Sequence, residues 1–195
     1  MYSFMTREDY EEEDRDYGNY YYFKDAVCDE EIEVIKSIAE KYPMKSGTAG
    51  GKVREGYRKS KICWLPKNEE TLWLYEKIGE LVKKANKIWK FDLTGFGEEF
   101  QFGEYNSEDK GSYDWHLDLG PESIWRKISL SIQLTDPETY EGGELQFHKS
   151  QNIVNAPKEK GTIILFPSYL CHRVTPVTKG VRHSLVTWIT GPPYR

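Results

Sequence analysis

GTIILFPSYLCHRVTPVTKGVRHSLVTWI, residues 161 to 189, contains three short runs of β-branched and aromatic residues fenced by glycine and proline. GTIILF, HRVTPV and RHSLVTWI each have the length and composition of a strand. The same grammar runs upstream to about residue 98, through EFQFGEY, SYDWHLDL, KISLSIQL and GELQFH. Seven such segments following two helical stretches predict an α+β, mainly β fold. A β-sandwich or jelly roll suits it, with N-terminal helices packed outside one sheet.

The helical stretches lie between residues 29 and 89. YYYFKDAV (20–27) reads as a strand, and Asp29 then offers an N-cap with Glu30 and Glu31 in the first turn. Ile32, Ile35, Ile38 and Ala39 follow at helical spacing, and the helix should stop near Pro43. Residues 45–60 have no apolar period and four glycines, so they read as a long loop or flexible hairpin. ICWL (62–65) is a short strand closed by Pro66. Asn68 is then the expected cap of a second helix, with an apolar face of Leu72, Trp73, Ile78, Leu81, Val82, Ala85, Ile88 and Trp89. Residues 1–18 are an acidic tail, read as disordered. Residues 19–195 are read as a single domain.

Composition narrows the function. A net charge of -5 argues against general nucleic-acid binding, which depends on Lys and Arg to replace counterions. Cys28, Cys63 and Cys171 are odd in number and form no CxxC pair, which favours free thiols in a reducing compartment. No stretch approaches the roughly 18 apolar residues of a membrane span. A cytoplasmic setting is expected.

The chemistry starts at YDWHLDLG (113–120). In a strand, residues i and i+2 share a face, so His116 and Asp118 should project together. One imidazole and one carboxylate leave most of a metal's coordination sphere open. His172, which opens HRVTPV, is the best third ligand. Two His and one carboxylate form a facial triad, the pattern associated with non-haem Fe(II) oxygenases, whereas a structural zinc site wants four closed ligands. Arg182 follows one hairpin later. A jelly roll would return it to the same cavity, where its planar fork can hold a dicarboxylate's distal end. Ser184 shares its face and can add a hydrogen bond.

The motifs YDWHLDLG, RKISLSIQLTDPETYEGGELQF and KGTIILFPSYLCHRVTPVTKGVRHSLVTWIT together resemble the iron and 2-oxoglutarate-dependent dioxygenases. Within these, the chain most resembles the prolyl 4-hydroxylase-like branch, the PKHD-type hydroxylases of bacteria and phages. The likeness covers residues 98–191 strongly and 19–97 in general layout. It implies a double-stranded β-helix, with iron on His116, Asp118 and His172 and the far carboxylate of 2-oxoglutarate on Arg182. It also implies a cosubstrate hydrogen bond from Tyr105. Tyr113 and Trp188 match aromatics that line the substrate pocket. Gln133 stands where some relatives carry a cosubstrate-binding tyrosine. Arg58, in a basic loop that can fold over substrate, is a further candidate contact.

The implied reaction oxidises 2-oxoglutarate to succinate and CO2, using O2, while hydroxylating a substrate. Ascorbate is an expected reductant. A peptide or protein containing proline is the first substrate reading. The alternatives are hydroxylation of a free amino acid or other small molecule, oxidative demethylation of nucleic acid, and a jelly-roll module that binds without turnover. His148 and His183 have no partner in the pattern, and alternation turns His183 out of the cavity.

Overall fold

The computed structural model describes residues 20–47, 56–149 and 151–194. The acidic tail, with Lys52 and Arg54 of the basic loop, lies outside the described residues. Among these residues no helix is long and apolar enough to cross a membrane.

Helix α1 spans Asp29–Ala39 and helix α2 spans Leu72–Trp89. Neither is capped by the expected residue: the cap of α1 falls one residue earlier, at Cys28, and that of α2 three residues later, at Thr71. The N-cap of α1 is Cys28, in extended conformation, and its N–H donates to Glu31 Oε2 at 2.9 Å. Asp29 is therefore the first helical residue, and with Glu30 and Glu31 it places carboxylates at the positive end of the helix dipole. Asn68 caps the turn before α2: its Oδ1 accepts from the N–H groups of Glu70 (3.0 Å) and Thr71 (3.3 Å). Thr71 then occupies the N-cap itself. Leu72 is turned to solvent, while Leu74, Ile78, Val82, Ala85 and Trp89 form the buried face.

The strands build two facing antiparallel sheets in a jelly roll. The larger runs Tyr21–Phe23, Ile163–Pro167, Arg126–Gln133, Val181–Thr190, Phe100–Asn106, Lys61–Leu65, Lys45–Ser46, and Gly95–Phe96 pairs with the end of Val181–Thr190. The smaller runs Asn152–Asn155, Leu145–Lys149, His172–Val174, Ser112–His116, Arg58–Lys59. A third pair joins Glu141–Gly142 to Val177–Lys179. This splits the expected HRVTPV strand, because Pro176 has no N–H to continue the ladder. The expected strand SYDWHLDL also ends early, at His116.

Alternation along the central strands separates core from cavity. On Arg126–Gln133, Ile128, Leu130 and Ile132 pack under the helices with Phe100, Phe102, Leu185 and Ile189. Ser129, Ser131 and Gln133 point the other way, between the sheets, yet are equally buried. Between the sheets, Leu145 and Phe147 meet Ile164 and Phe166 in a second cluster. The rest of the inter-sheet space stays open as a cavity of about 600 Å³.

Candidate active site

Cross-strand register brings the first two candidate ligands together. His116, the last residue of its strand, pairs directly with His172 on the neighbouring strand. Each imidazole is held from behind: His116 Nδ1 meets Asp114 O at 2.7 Å, and His172 Nδ1 meets Leu170 O at 2.8 Å. A carbonyl can only accept, so Nδ1 carries the proton on both rings and Nε2 keeps its lone pair. The two Nε2 atoms face Asp118, at 3.8 Å from Oδ1 (His116) and 3.6 Å from Oδ2 (His172). These separations exceed hydrogen-bond length. Among the described residues these three form the one cluster of His, Cys, Asp and Glu able to hold an ion, with ligand atoms all within 4.8 Å of one another.

Asp118 reaches this cluster differently from the sequence expectation. It lies beyond the strand, in a bend where its N–H and that of Leu119 both donate to Ser168 O. Strand parity therefore stops at His116. Leu117, expected on the opposite face, is half exposed and lines the mouth of the cavity. Trp115 does turn away, packing edge-on to His148 and beneath Arg173.

Electrostatics keep His116 and Asp118 ready to bind a cation at neutral pH. Burial pulls His116 down to about 4, helped by the neighbouring His172. Burial pushes the Asp118 carboxyl up, but His172, His116, the Ser129 hydroxyl and Arg126 outweigh it and hold the group at about 2. Tyr113 lies flat on His116, centroids 3.6 Å apart, and its burial raises the phenol to about 12, so it stays protonated. Arg58 sits over the other side of Tyr113 at 4.6 Å and donates to Gln101 Oε1 at 2.7 Å.

Across the cavity stands Arg182, 1% exposed. It pairs in register with Tyr105, whose ring lies 5.3 Å from the guanidinium. Nη2 donates to Gln133 Oε1 at 2.9 Å and Nη1 to Ser184 Oγ at 3.4 Å. Gln133 is thus committed to Arg182, with its own Nε2 bound to Pro157 O at 3.1 Å. Arg182 Nε has no hydrogen-bond partner, and the buried Tyr140 hydroxyl lies against the same guanidinium, which offsets part of the upward push of burial on the phenol. No carboxylate among the described residues forms an ion pair with Arg182. A buried cation in a neutral cage is costly, so the pocket is built for an anionic guest. Gly143 makes room for the arginine: a Cβ there would come within 2.9 Å of Arg182 Cδ.

The third wall holds Trp188 and Arg126. The Arg126 guanidinium lies 3.8 Å over the Trp188 ring and makes two 2.6 Å bonds to the Glu98 carboxylate. Trp64 completes the wall, 6.2 Å from Trp188. His183 does face away from the cavity, towards Glu104 and Phe102.

Comparison with known proteins fixes the family. A model of the 2OG-Fe(II) oxygenase superfamily matches residues 100–190, the segment that carries every ligand candidate. A PKHD-type hydroxylase of Synechococcus sp. is 32% identical over 169 residues, covering 84% of this chain and 73% of the relative. The chain belongs to the 2OG-Fe(II) oxygenase superfamily. Within it the chain is a dioxygenase of the PKHD-type branch. The PKHD-type hydroxylase PiuC of Pseudomonas aeruginosa is likewise 32% identical, over 175 residues that span 82% of this oxygenase and 73% of PiuC. The fold matches a Pseudomonas putida prolyl-4-hydroxylase, with TM-score 0.72 at 20% identity over 90% of this chain and 94% of that one. It also matches a Trichoplax adhaerens prolyl hydroxylase bound to a hypoxia inducible factor peptide fragment, with TM-score 0.75 at 16% identity over 89% and 84% of the two chains.

The family implies Fe(II), 2-oxoglutarate and O2. The donor set of this oxygenase fits the ion: two Nε2 lone pairs and a carboxylate, oriented by outer hydrogen bonds, are the borderline nitrogen and oxygen ligands that Fe(II) accepts. The neutral cage around Arg182 fits a dicarboxylate. Of the expected residues, His116, Asp118, His172, Arg182, Tyr105, Ser184, Tyr113, Trp188 and Arg58 all line the one cavity. Sequence reasoning missed Ser129, Gln101, Glu98, Arg126 and Trp64. Ser129 and Gln101 carried a partial signal, as polar residues set between core residues on strands buried on both faces; Glu98, in a bend, and Arg126 and Trp64 carried none.

Proposed function

We propose that the chain hydroxylates prolyl residues in peptides. In this reading His116, Asp118 and His172 hold Fe(II), and Arg182, Ser184 and Tyr105 receive the far end of 2-oxoglutarate. The observation that carries the reading is the juxtaposition, in one cavity, of an oriented His-Asp-His cluster and a buried arginine without an anion. The bound cofactors supply oxidative decarboxylation of 2-oxoglutarate to succinate and CO2, coupled to insertion of one oxygen atom into a substrate C–H bond.

The residues of this chain bind, orient and exclude water. The carbonyls of Asp114 and Leu170 hold the neutral imidazoles in the Nδ1–H tautomer, which leaves Nε2 of each ring to bind the ion. Arg182 would hold the far carboxylate of 2-oxoglutarate, in the same cavity as the His-Asp-His cluster. Trp188 and Trp64, neighbours on the cavity wall, offer an aromatic surface suited to a pyrrolidine ring, which has no N–H to satisfy within a peptide. Arg58, over Tyr113, lies where it can meet the carbonyls of an extended peptide. The Trichoplax relative, seen with a peptide fragment, supports a peptide as the class of substrate. Ascorbate is the reductant that would keep the iron divalent.

Mass spectrometry of a peptide library, after reaction with Fe(II), 2-oxoglutarate, ascorbate and O2, tests the substrate. A gain of one oxygen located on proline is expected. Oxygen found solely on other residues would overturn the prolyl assignment and leave the dioxygenase standing.

A further inference from the structure

Of the three candidate ligands, Asp118 is the one that no strand ladder holds. His116 and His172 are paired residues of neighbouring strands, and their positions follow from the register. Asp118 sits two residues past the strand end, in a bend. Its main chain is pinned on both sides: its N–H donates to Ser168 O at 3.0 Å, and its carbonyl accepts from Ser123 Oγ at 2.9 Å and Arg126 Nη1 at 3.3 Å. None of these bonds fixes the rotation of the carboxylate about its own side-chain bonds.

A hydroxyl from the opposite sheet does. Ser129 Oγ lies 2.6 Å from Asp118 Oδ2 and 3.0 Å from Ser168 Oγ. Both serines are buried, Ser129 at 2% and Ser168 at 0% exposure. A hydroxyl carries one proton and accepts with its lone pairs. The short contact to an ionised acceptor takes the Ser129 proton, as charge-assisted bonds are the shorter and stronger ones. Ser168 Oγ–H then donates to Ser129 Oγ. The result is a two-hydroxyl relay, Ser168 to Ser129 to Asp118, that runs from the turn before His172 to the carboxylate.

We infer that the Ser168–Ser129 hydroxyl relay is the positioning device for Asp118, holding its carboxylate in the orientation that completes the metal site. The placement of the relay supports the inference. Ser129 belongs to the central strand of the large sheet, whereas His116 and His172 belong to the small one. Ser168 supplies the carbonyl that anchors the Asp118 main chain as well as the outer hydroxyl of the relay, and Leu170, two residues on, supplies the carbonyl that orients His172. One turn, residues 167–170, thereby sets the geometry of two ligands at once. The inference rests on Asp118 being a metal ligand, as proposed above.

The test is titration of metal-free protein with Mn(II) alone, followed by calorimetry and by electron paramagnetic resonance. Losing an outer-shell partner of a metal ligand weakens binding by about 10- to 100-fold. Ser129→Ala should show that loss while the melting temperature holds, since the Asp118 main chain keeps its three bonds. Ser129→Thr keeps the hydroxyl and should bind near wild type. Ser168→Ala removes only the outer hydroxyl and should fall between. Asp118→Ala separates the two proposals: if it leaves Mn(II) affinity unchanged, the metal site itself is misassigned. If Asp118→Ala abolishes binding while Ser129→Ala and Ser168→Ala bind as wild type, the site stands and the relay is refuted. Should Ser129→Ala fold poorly, the Ser129→Thr and Ser168→Ala pair decides, and equal wild-type affinity in Ser168→Ala would overturn the relay.

Discussion

Gln133→Glu is the sharpest probe of the arginine pocket, because it adds a charge beside Arg182 at the cost of a single hydrogen bond, the one from Gln133 Nε2 to Pro157 O. In the native pocket every hydrogen bond made by Arg182 goes to a neutral group, Gln133 Oε1 at 2.9 Å and Ser184 Oγ at 3.4 Å. A glutamate at position 133 would place a carboxylate where the amide oxygen now lies. At 2.9 Å and an effective dielectric of about 20 the attraction is about 6 kcal/mol before desolvation is counted. An incoming carboxylate would then meet a neutralised guanidinium and a like charge beside it. A hydrogen bond to a charged group contributes about 1.5–3 kcal/mol, so 2-oxoglutarate affinity should fall roughly 10- to 150-fold. Calorimetric titration of the Mn(II)-loaded protein with 2-oxoglutarate measures it. Mn(II) affinity should be unchanged, and the melting point of the ligand-free variant should not drop, since the buried cation gains a counter-ion. Gln133→Leu, which removes the tether without adding charge, should weaken binding less. A glutamate variant that binds 2-oxoglutarate as tightly as wild type would refute the assignment of Arg182.

The other expectations are simpler. Arg182→Ala should weaken 2-oxoglutarate binding by at least about 10-fold with Mn(II) affinity spared; equal weakening of both would mean that the two halves of the cavity are one structural unit. The metal-free protein should lose stability as pH falls from about 6.5 to about 4. Burial depresses His116 to about 4, so the unfolded chain takes up its proton first, a penalty reaching about 3 kcal/mol at the lower pH. Asp118, held at about 2, loses its own contribution lower down, from about pH 5, where an unfolded Asp begins to protonate, towards its folded value. Urea titrations across that range, with His116→Ala showing a flatter profile, check the sign. Phe100, fully buried between Tyr75 and Phe96, should cost about 3–5 kcal/mol as Phe100→Ala, read as a shift in the urea midpoint.

The jelly roll and the convergence of His116, His172 and Arg182 on one cavity were legible in the chain because both follow from local pattern. Ile128, Leu130 and Ile132 alternate with Ser129, Ser131 and Gln133, which marks a strand with an apolar and a polar interior face. His116, His172 and Arg182 sit on strands whose parity points them into one space. The failures share a cause as well, since they are contacts between residues remote in sequence. Asp118 appeared to be a strand residue, and its actual anchor is Ser168, fifty positions away. Pro176 sits inside an apolar run that reads as one strand, and the missing N–H sends Val177–Lys179 to a separate pairing. Gln133 replaces the cosubstrate-binding tyrosine of some relatives, and only the fold shows what it does instead: tethered to Pro157 O and Arg182, it supports the arginine. The Glu98–Arg126–Trp188 wall joins three strands or their edges, and no spacing in the sequence announces it.

The central claim is that this cavity oxidises 2-oxoglutarate on an ion held by His116, Asp118 and His172. Succinate formation by the Fe(II)-loaded protein, with 2-oxoglutarate, O2 and a proline-containing peptide mixture, tests it most directly. Succinate should accumulate in step with oxygen uptake, and His116→Ala, Asp118→Ala and His172→Ala should each abolish both ion binding and turnover. Folded protein that binds Fe(II) at these three residues and produces no succinate under any of these conditions would contradict the claim.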